Sequence, residues 1–194
     1  MTVKAYQIDA DRHLVPIDPE QAAERSRDPD GLLWLDVEGP HGADKAAWLD
    51  RFGIEGLAHR LCLEVGDRPG LYPLQEAIIL VIPVLPESME KPEVQHLTCL
   101  CREGLLLTLH DRDLVTDDRL AEIDYADAWL SERSIPALMS AVLIDLSMDD
   151  LRLAGRLRSA IIALEERMER DPGSVEAEDI LDLRGDVLTL AAAV

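Results

Sequence analysis

Three acidic residues stand in an apolar stretch of the chain, Val142-Leu143-Ile144-Asp145-Leu146-Ser147-Met148-Asp149-Asp150-Leu151. Residues four apart share a helix face, so Asp145 and Asp149 would present two carboxylates side by side, with Asp150 beside them. Like charges at that spacing repel unless a cation or a base sits between them. Paired carboxylate oxygens suit a hard divalent ion, which takes one or two such ligands and keeps several waters. From spacing alone, a solvated face partnered by Arg152 or Arg156 is the stronger reading of the same residues.

A second place for chemistry is His110-Asp111-Arg112-Asp113, directly after an apolar run that reads as a central strand. Open α/β sheets keep sites at such strand ends. A soluble metal-dependent hydrolase could use His110 as its base and Asp111 to orient it. The sequence has no nucleophile elbow, phosphate-cradling glycine loop or metalloprotease histidine spacing to go with that. Cys99 and Cys101 lie two apart near His96, but a closed zinc site needs four ligands at its own spacings. With Cys62 they read as buried or half-buried structural thiols in a reducing compartment. His13, His41, His59 and His96 are scattered and read as surface or turn residues.

These groups need a scaffold, and composition bounds it. The chain has 194 residues, with 39 acids against 19 bases, giving a formal charge of -20. Nucleic acid demands clustered Lys and Arg to displace counterions, so nucleic-acid binding is not expected. The same sign disfavours an anionic membrane surface and favours cations or basic proteins as partners. At 47% hydrophobic and 30% charged the chain should fold, around an aliphatic core because only 4% is aromatic. The longest apolar run, Ala77 to Leu85, contains Pro83 and falls far short of the about 20 residues that span a bilayer. The polar, mixed stretch Met1 to Ala10 predicts no signal peptide.

Patterning predicts strands over Val3–Ile8, Leu14–Ile17, Leu32–Val37, Leu71–Leu85, Val94–Cys101 and Gly104–His110, about six in all. Helices are expected over Pro19–Arg27, Ala43–Phe52, Ile54–Glu64 and Val115–Ser131. A much longer one starts at Ile135-Pro136 and runs to Arg170, before the breaker Asp171-Pro172-Gly173. Its apolar stripe is Val142, Leu146, Leu153, Leu157, Ile161, Leu164 and Met168, and at 1.5 Å per residue it would be roughly 50 Å long. A last helix is expected from Ser174 as N-cap. The order is mixed rather than a strict βαβ repeat. The expected architecture is therefore α/β, an α/β/α sandwich with a mixed sheet over 1–131, followed by long antiparallel helices over 135–194. Leu188 to Val194 is strong helix former without a terminator, so the last helix reads as cut within a longer chain.

Taken in order, several segments resemble the cytoplasmic domain of the CorA family of divalent-cation channels. They are Trp34-Leu35-Asp36-Val37-Glu38-Gly39-Pro40, Phe52-Gly53-Ile54 with Leu57 and Arg68-Pro69, the strand Ala77–Ile82, Leu105 to His110, and Leu143-Ile144-Asp145 with Asp149-Asp150. The resemblance implies a homopentamer, not an enzyme, on the cytoplasmic face of the inner (cell) membrane. It would pass Mg2+ and, in some members, Co2+, Ni2+ or Zn2+. It also implies a regulatory divalent ion between neighbouring subunits, for which Asp145, Asp149 and Asp150 are the candidate ligands. Two membrane helices and a Gly-Met-Asn pore signature would follow beyond Val194, so the fragment could not conduct by itself. The acidic pair usual after the Phe-Gly-Ile segment is here Arg60-Leu61, a departure that also admits the related zinc-transporting branch.

Overall fold

The computed structural model describes residues 2–26, 31–39, 42–64, 68–85, 95–111, 130 and 132–193. Seven strands form one sheet: β1 Thr2–Ile8, β2 Leu14–Ile17, β3 Leu33–Glu38, β4 Gly70–Pro73, β5 Ala77–Val84, β6 Gln95–Arg102 and β7 Leu105–His110. Their order is β2-β1-β3-β7-β6-β5-β4. β1 pairs antiparallel with β2 and β3, β6 antiparallel with β7, and β3 parallel with β7, so the sheet is mixed as expected. The expected strand Leu71–Leu85 is a hairpin instead. Pro73 has no N–H to continue a ladder, and the chain turns through Leu74, Gln75 and Glu76, where the Leu74 N–H donates to the Ala77 carbonyl at 2.8 Å.

β3 and β7 are the near-continuous apolar runs, and every residue of β7 is buried. Side chains alternate across a sheet. Leu33, Leu35 and Val37, with Leu105, Leu107 and Leu109 beside them in register, enter a core with residues of three helices. These are α1 Pro19–Arg25, α2 Gly42–Arg51 and α3 Gly56–Glu64, which contribute Ala22, Ala23, Leu49 and Cys62. A fully buried aliphatic side chain is worth about 1.5–3 kcal/mol, more than a typical net hydrogen bond, so this leucine block carries the sheet's stability. Asp18 caps α1 by accepting from the Glu20 N–H at 2.8 Å, with Pro19 at the first position. α1 ends at Arg25, before the Arg27 expected, and residues 27–30 lie outside the described residues.

The opposite face carries Tyr6, Ile8, Trp34, Leu97 and Leu106, all buried. So are Ile135, Leu138, Ala141 and Val142, which open the long helix α4, Ile135–Arg170. The Arg133 side chain ties the start of α4 to the end of β1, its Nε donating to the carbonyls of Ile8 at 3.3 Å and Asp9 at 3.1 Å. The helix expected over Val115–Ser131 lies outside the described residues, apart from the buried Leu130.

β6 and β7 are joined by a two-residue turn, Glu103-Gly104, with Arg102 opposite Leu105. Gly104 has φ of 74°, and a Cβ there would stand 2.9 Å from the Gly31 carbonyl oxygen. Left-handed backbone costs an L-residue roughly 1–2 kcal/mol before any clash. Gly104→Ala should therefore lower stability by more than about 1 kcal/mol in urea denaturation, and an unchanged midpoint would contradict this account of the turn.

Contacts divide the chain into two compact units, Met1–Ile82 with His96–Ile144, and Pro83–Gln95 with Asp145–Val194. In the second, a 3-10 turn, Pro172–Ser174, leads from α4 to α5, Ala177–Ala193. Ser174 is not the N-cap expected. Asp171 accepts from the Gly173 N–H at 3.1 Å, and Asp179 accepts from the Glu176 N–H at 3.0 Å. That bond and the Arg167 guanidinium hold the Asp179 carboxyl below its ordinary range. Of the apolar stripe read along α4, Val142, Leu146, Leu153 and Leu157 are buried, Ile161 and Leu164 half-buried, and Met168 exposed. No described helix is long and apolar enough to cross a membrane.

Candidate functional site

Four side chains form a buried polar chain across the parallel pair. On β3, Trp34 and Asp36 point to the face opposite the Leu33–Leu35–Val37 core; on β7, Thr108 and His110 point the same way, with Asp36 opposite Thr108 in register. Trp34 Nε1 donates to Thr108 Oγ1 at 3.0 Å. The Thr108 hydroxyl has one hydrogen and faces two acceptors, the Asp36 carboxylate and the Leu35 carbonyl at 3.2 Å. His110 Nε2 lies 3.0 Å from both Asp36 oxygens. An ionised carboxylate only accepts, so Nε2 is the ring nitrogen that carries hydrogen in this arrangement.

Asp36 is 8%, Thr108 1% and His110 4% exposed, so each of these polar groups depends on the others in place of water. Neighbouring strands add Lys4, opposite Asp36, and Cys99, opposite Thr108. Tyr6 packs on Trp34 with ring centroids 5.3 Å apart. The Gly39 N–H donates to the His110 carbonyl at 2.8 Å and holds the ends of β3 and β7 together. The partner of His110 is thus Asp36, and Asp111 is exposed. A hydrolase built on His110 and Asp111 finds no support in this arrangement.

All three cysteines are free thiols. Burial, then the charge of Asp36, pushes Cys99 up to about 12. Burial raises Cys62 to about 11, against a smaller opposite pull from Lys45, and burial also raises the half-buried Cys101. At pH 8 all three are protonated and therefore weak nucleophiles. A disulfide reagent at pH 8 should reach Cys101 first, while Cys62 and Cys99 react only on unfolding. Fast labelling of all three in the native chain, read by mass spectrometry, would refute this burial order.

On α4, Asp145 is buried at 8% exposure, whereas Asp149 and Asp150 are half-buried. Arg152 donates to Asp149 at 2.7 Å, so the helix does use the arginine partner that the spacing allowed. Burial, and then the neighbouring Asp149 charge, raises the Asp150 carboxyl above its ordinary range. A hard cation takes such oxygen donors and would relieve that repulsion, but the carboxylates of Asp145, Asp149 and Asp150 do not all lie within 4.8 Å of one another. Arg60 is exposed and Leu61 packs on the core, so neither offers a ligand where the resemblance leads one to expect two acids.

Among the described residues, one group of three possible ligands converges within 4.8 Å: Asp9, Asp11 and His13 in the β1–β2 turn. It went unnoticed in the sequence because turn chemistry already accounts for Asp9, which accepts from the His13 N–H at 2.9 Å. Asp36 was also missed as a site residue. Its signal was legible, since Asp36, Thr108 and His110 are the polar interruptions of two apolar strands at matching alternation. Among the other histidines, His59 pairs with Asp50 at 3.2 Å.

The chain is thus an α/β protein, a mixed sheet followed by a long helix. The family model described as CorA-like Mg2+ transporter protein matches residues 29–194, and the chain belongs to that family. No curated protein matches it in sequence. Among solved structures, full-length CmaX is similar over 98% of this chain and 59% of its own, at 20% identity and a TM-score of 0.81. The complete CorA magnesium transporter of Methanocaldococcus jannaschii matches over 100% of this chain and 59% of its own, at 18% identity and TM-score 0.74. The ZntB cytoplasmic domain of Vibrio parahaemolyticus matches over 98% of this chain and 76% of its own, at 12% identity and TM-score 0.61. At these identities the likeness is one of fold, and the chain spans 59% of the length of the first two.

Proposed function

We propose that this chain is the cytoplasmic, ion-sensing part of a homopentameric divalent-cation transporter, with Mg2+ as the cargo and no enzymatic role. Residues 1–131 are its α/β/α domain on the cytoplasmic face of the cell membrane, and residues 135–194 begin the stalk that leads to membrane helices. The observation that carries the reading is the family model over residues 29–194. The charge adds a physical reason for ion linkage. Five copies at -20 each repel one another, and divalent cations held between them would stabilise the assembly in proportion to occupancy.

Asp145 and Asp149, one turn apart, are the residues to hold such a cation, with Asp150 beside them. Their part is to supply carboxylate oxygens and to leave the remaining positions to water. Asp145→Ala with Asp149→Ala should weaken Mg2+ binding at least tenfold in titration calorimetry of the full-length protein, and unchanged affinity removes these residues from the site. In the same protein Mg2+ should slow proteolysis of the helical linkers relative to chelator. Equal cleavage in both would overturn ion sensing by this region. A second reading, the zinc-transporting branch, is favoured by the Arg60-Leu61 departure and by the ZntB fold match. Transport of Zn2+ but not Mg2+ by the full-length protein in liposomes would select it.

A further inference from the structure

We propose that the β1–β2 turn binds a divalent transition-metal ion of the Zn2+ and Ni2+ class through Asp9, Asp11 and His13. Each of the three residues offers one donor atom, and these atoms all lie within 4.8 Å of one another. Asp9 directly follows β1, His13 directly precedes β2, and Asp11 sits between them. The Asp9 N–H donates to the His13 carbonyl at 3.0 Å and the His13 N–H to Asp9 Oδ1 at 2.9 Å, so the two ends of the turn are tied to each other.

The donor set selects the metal. Two carboxylates and one imidazole make a mixed oxygen and nitrogen set, unlike the all-acid run on α4. Imidazole suits Zn2+ and Ni2+, whereas Mg2+ and Ca2+ are held by oxygen alone. Zinc bonds of about 2.0–2.2 Å at tetrahedral angles put neighbouring donors roughly 3.3–3.6 Å apart. His13 Nδ1 and Asp9 Oδ2 stand 3.7 Å apart, so that edge of the site is already close to its bound spacing. The His13 and Asp9 side chains are 47% and 37% exposed, which lets the ion arrive from solvent. Three protein ligands leave a coordination position to water. Carboxylates held this close repel each other, and a divalent cation between them removes that cost.

The turn is also anchored to the chain ahead of α4. Arg12 Nη1 donates to the Leu130 carbonyl at 3.3 Å, and Arg133 Nε to the carbonyls of Ile8 and Asp9. These bonds order the loop in advance, so less freedom is lost when the ion binds. The inference rests on this turn alone and does not depend on the transport reading.

The test is Zn2+ titration of the chain by calorimetry, with its nitrogen-15 amide spectrum followed in parallel. The tightest site should shift the amides of residues 9–13. Asp11→Asn and His13→Gln, both at exposed side chains, should each weaken that site at least tenfold. Asp145→Ala with Asp149→Ala should leave it unchanged, and a large excess of Mg2+ should not displace the Zn2+. Unshifted amide resonances of β3 and β7 report that each variant is folded. Zn2+ that binds His13→Gln as tightly as the wild type, that leaves the amides of residues 9–13 unmoved, or that Mg2+ displaces at equal concentration overturns the site.

Discussion

Replacing Asp36 by alanine should lower the stability of the folded chain by about 3–5 kcal/mol, the range for removing one partner of a buried charged pair. The magnitude follows from what is left behind. His110, 4% exposed, would keep an Nε2 hydrogen with no carboxylate to receive it, and Thr108 would keep only the Leu35 carbonyl. Water cannot easily take the vacated place at the centre of a sheet, so the full desolvation cost appears. Asp36→Asn keeps the shape and one acceptor oxygen and should lose less than the alanine variant. Urea denaturation of the three proteins reads the difference. A loss under about 1 kcal/mol for alanine would mean that the cluster is hydrated, contrary to its burial.

Trp34→Ala should be comparably severe, about 3–5 kcal/mol, but for a different reason. Trp34 is 1% exposed and packs against Tyr6 with the rings tilted by 31°, so most of its contribution is apolar area and close packing. Trp34→Phe separates the two parts. It retains a ring against Tyr6 and deletes only the N–H to Thr108 Oγ1, leaving a hydroxyl that can still donate to Asp36. The phenylalanine variant should therefore lose about half as much as alanine or less, the remainder being the smaller ring and one hydrogen bond. Equal losses for both would place the energy in the indole N–H and refute the packing account.

Much of this arrangement is legible in the sequence alone. Leu105-Leu106-Leu107 and Leu32 to Leu35 announce central strands, because only a strand covered on both faces tolerates such runs. The breakers around Pro172 and Gly53 fix helix ends for local steric reasons. Two things escaped. The β4–β5 hairpin reads as one strand, since Leu71 to Leu85 is apolar throughout except for a short turn at Gln75 and Glu76. The Asp36–His110 pair joins residues 74 apart in the chain, and no local rule says which strands become neighbours. The acids of α4 were visible as a spacing. Their unequal burial, with Asp145 enclosed and Asp149 on Arg152, depends on tertiary contacts that spacing does not encode.

The parallel pairing of β3 with β7 also has a consequence for how the chain is made. β3 finds one neighbour, β1, at once, but its other edge must wait for Leu105 to His110, about seventy residues later. At 5–20 residues per second a ribosome takes roughly 4–14 s to supply them. For that interval the most apolar strand of the nascent protein shows an unpaired edge, the kind of surface that recruits other strands. The buried Asp36 lies at that edge too, and before β7 arrives its charge is still hydrated. A carboxylate in the middle of such a strand is a gatekeeper against premature pairing, and it becomes a structural tie only when Thr108 and His110 come to meet it.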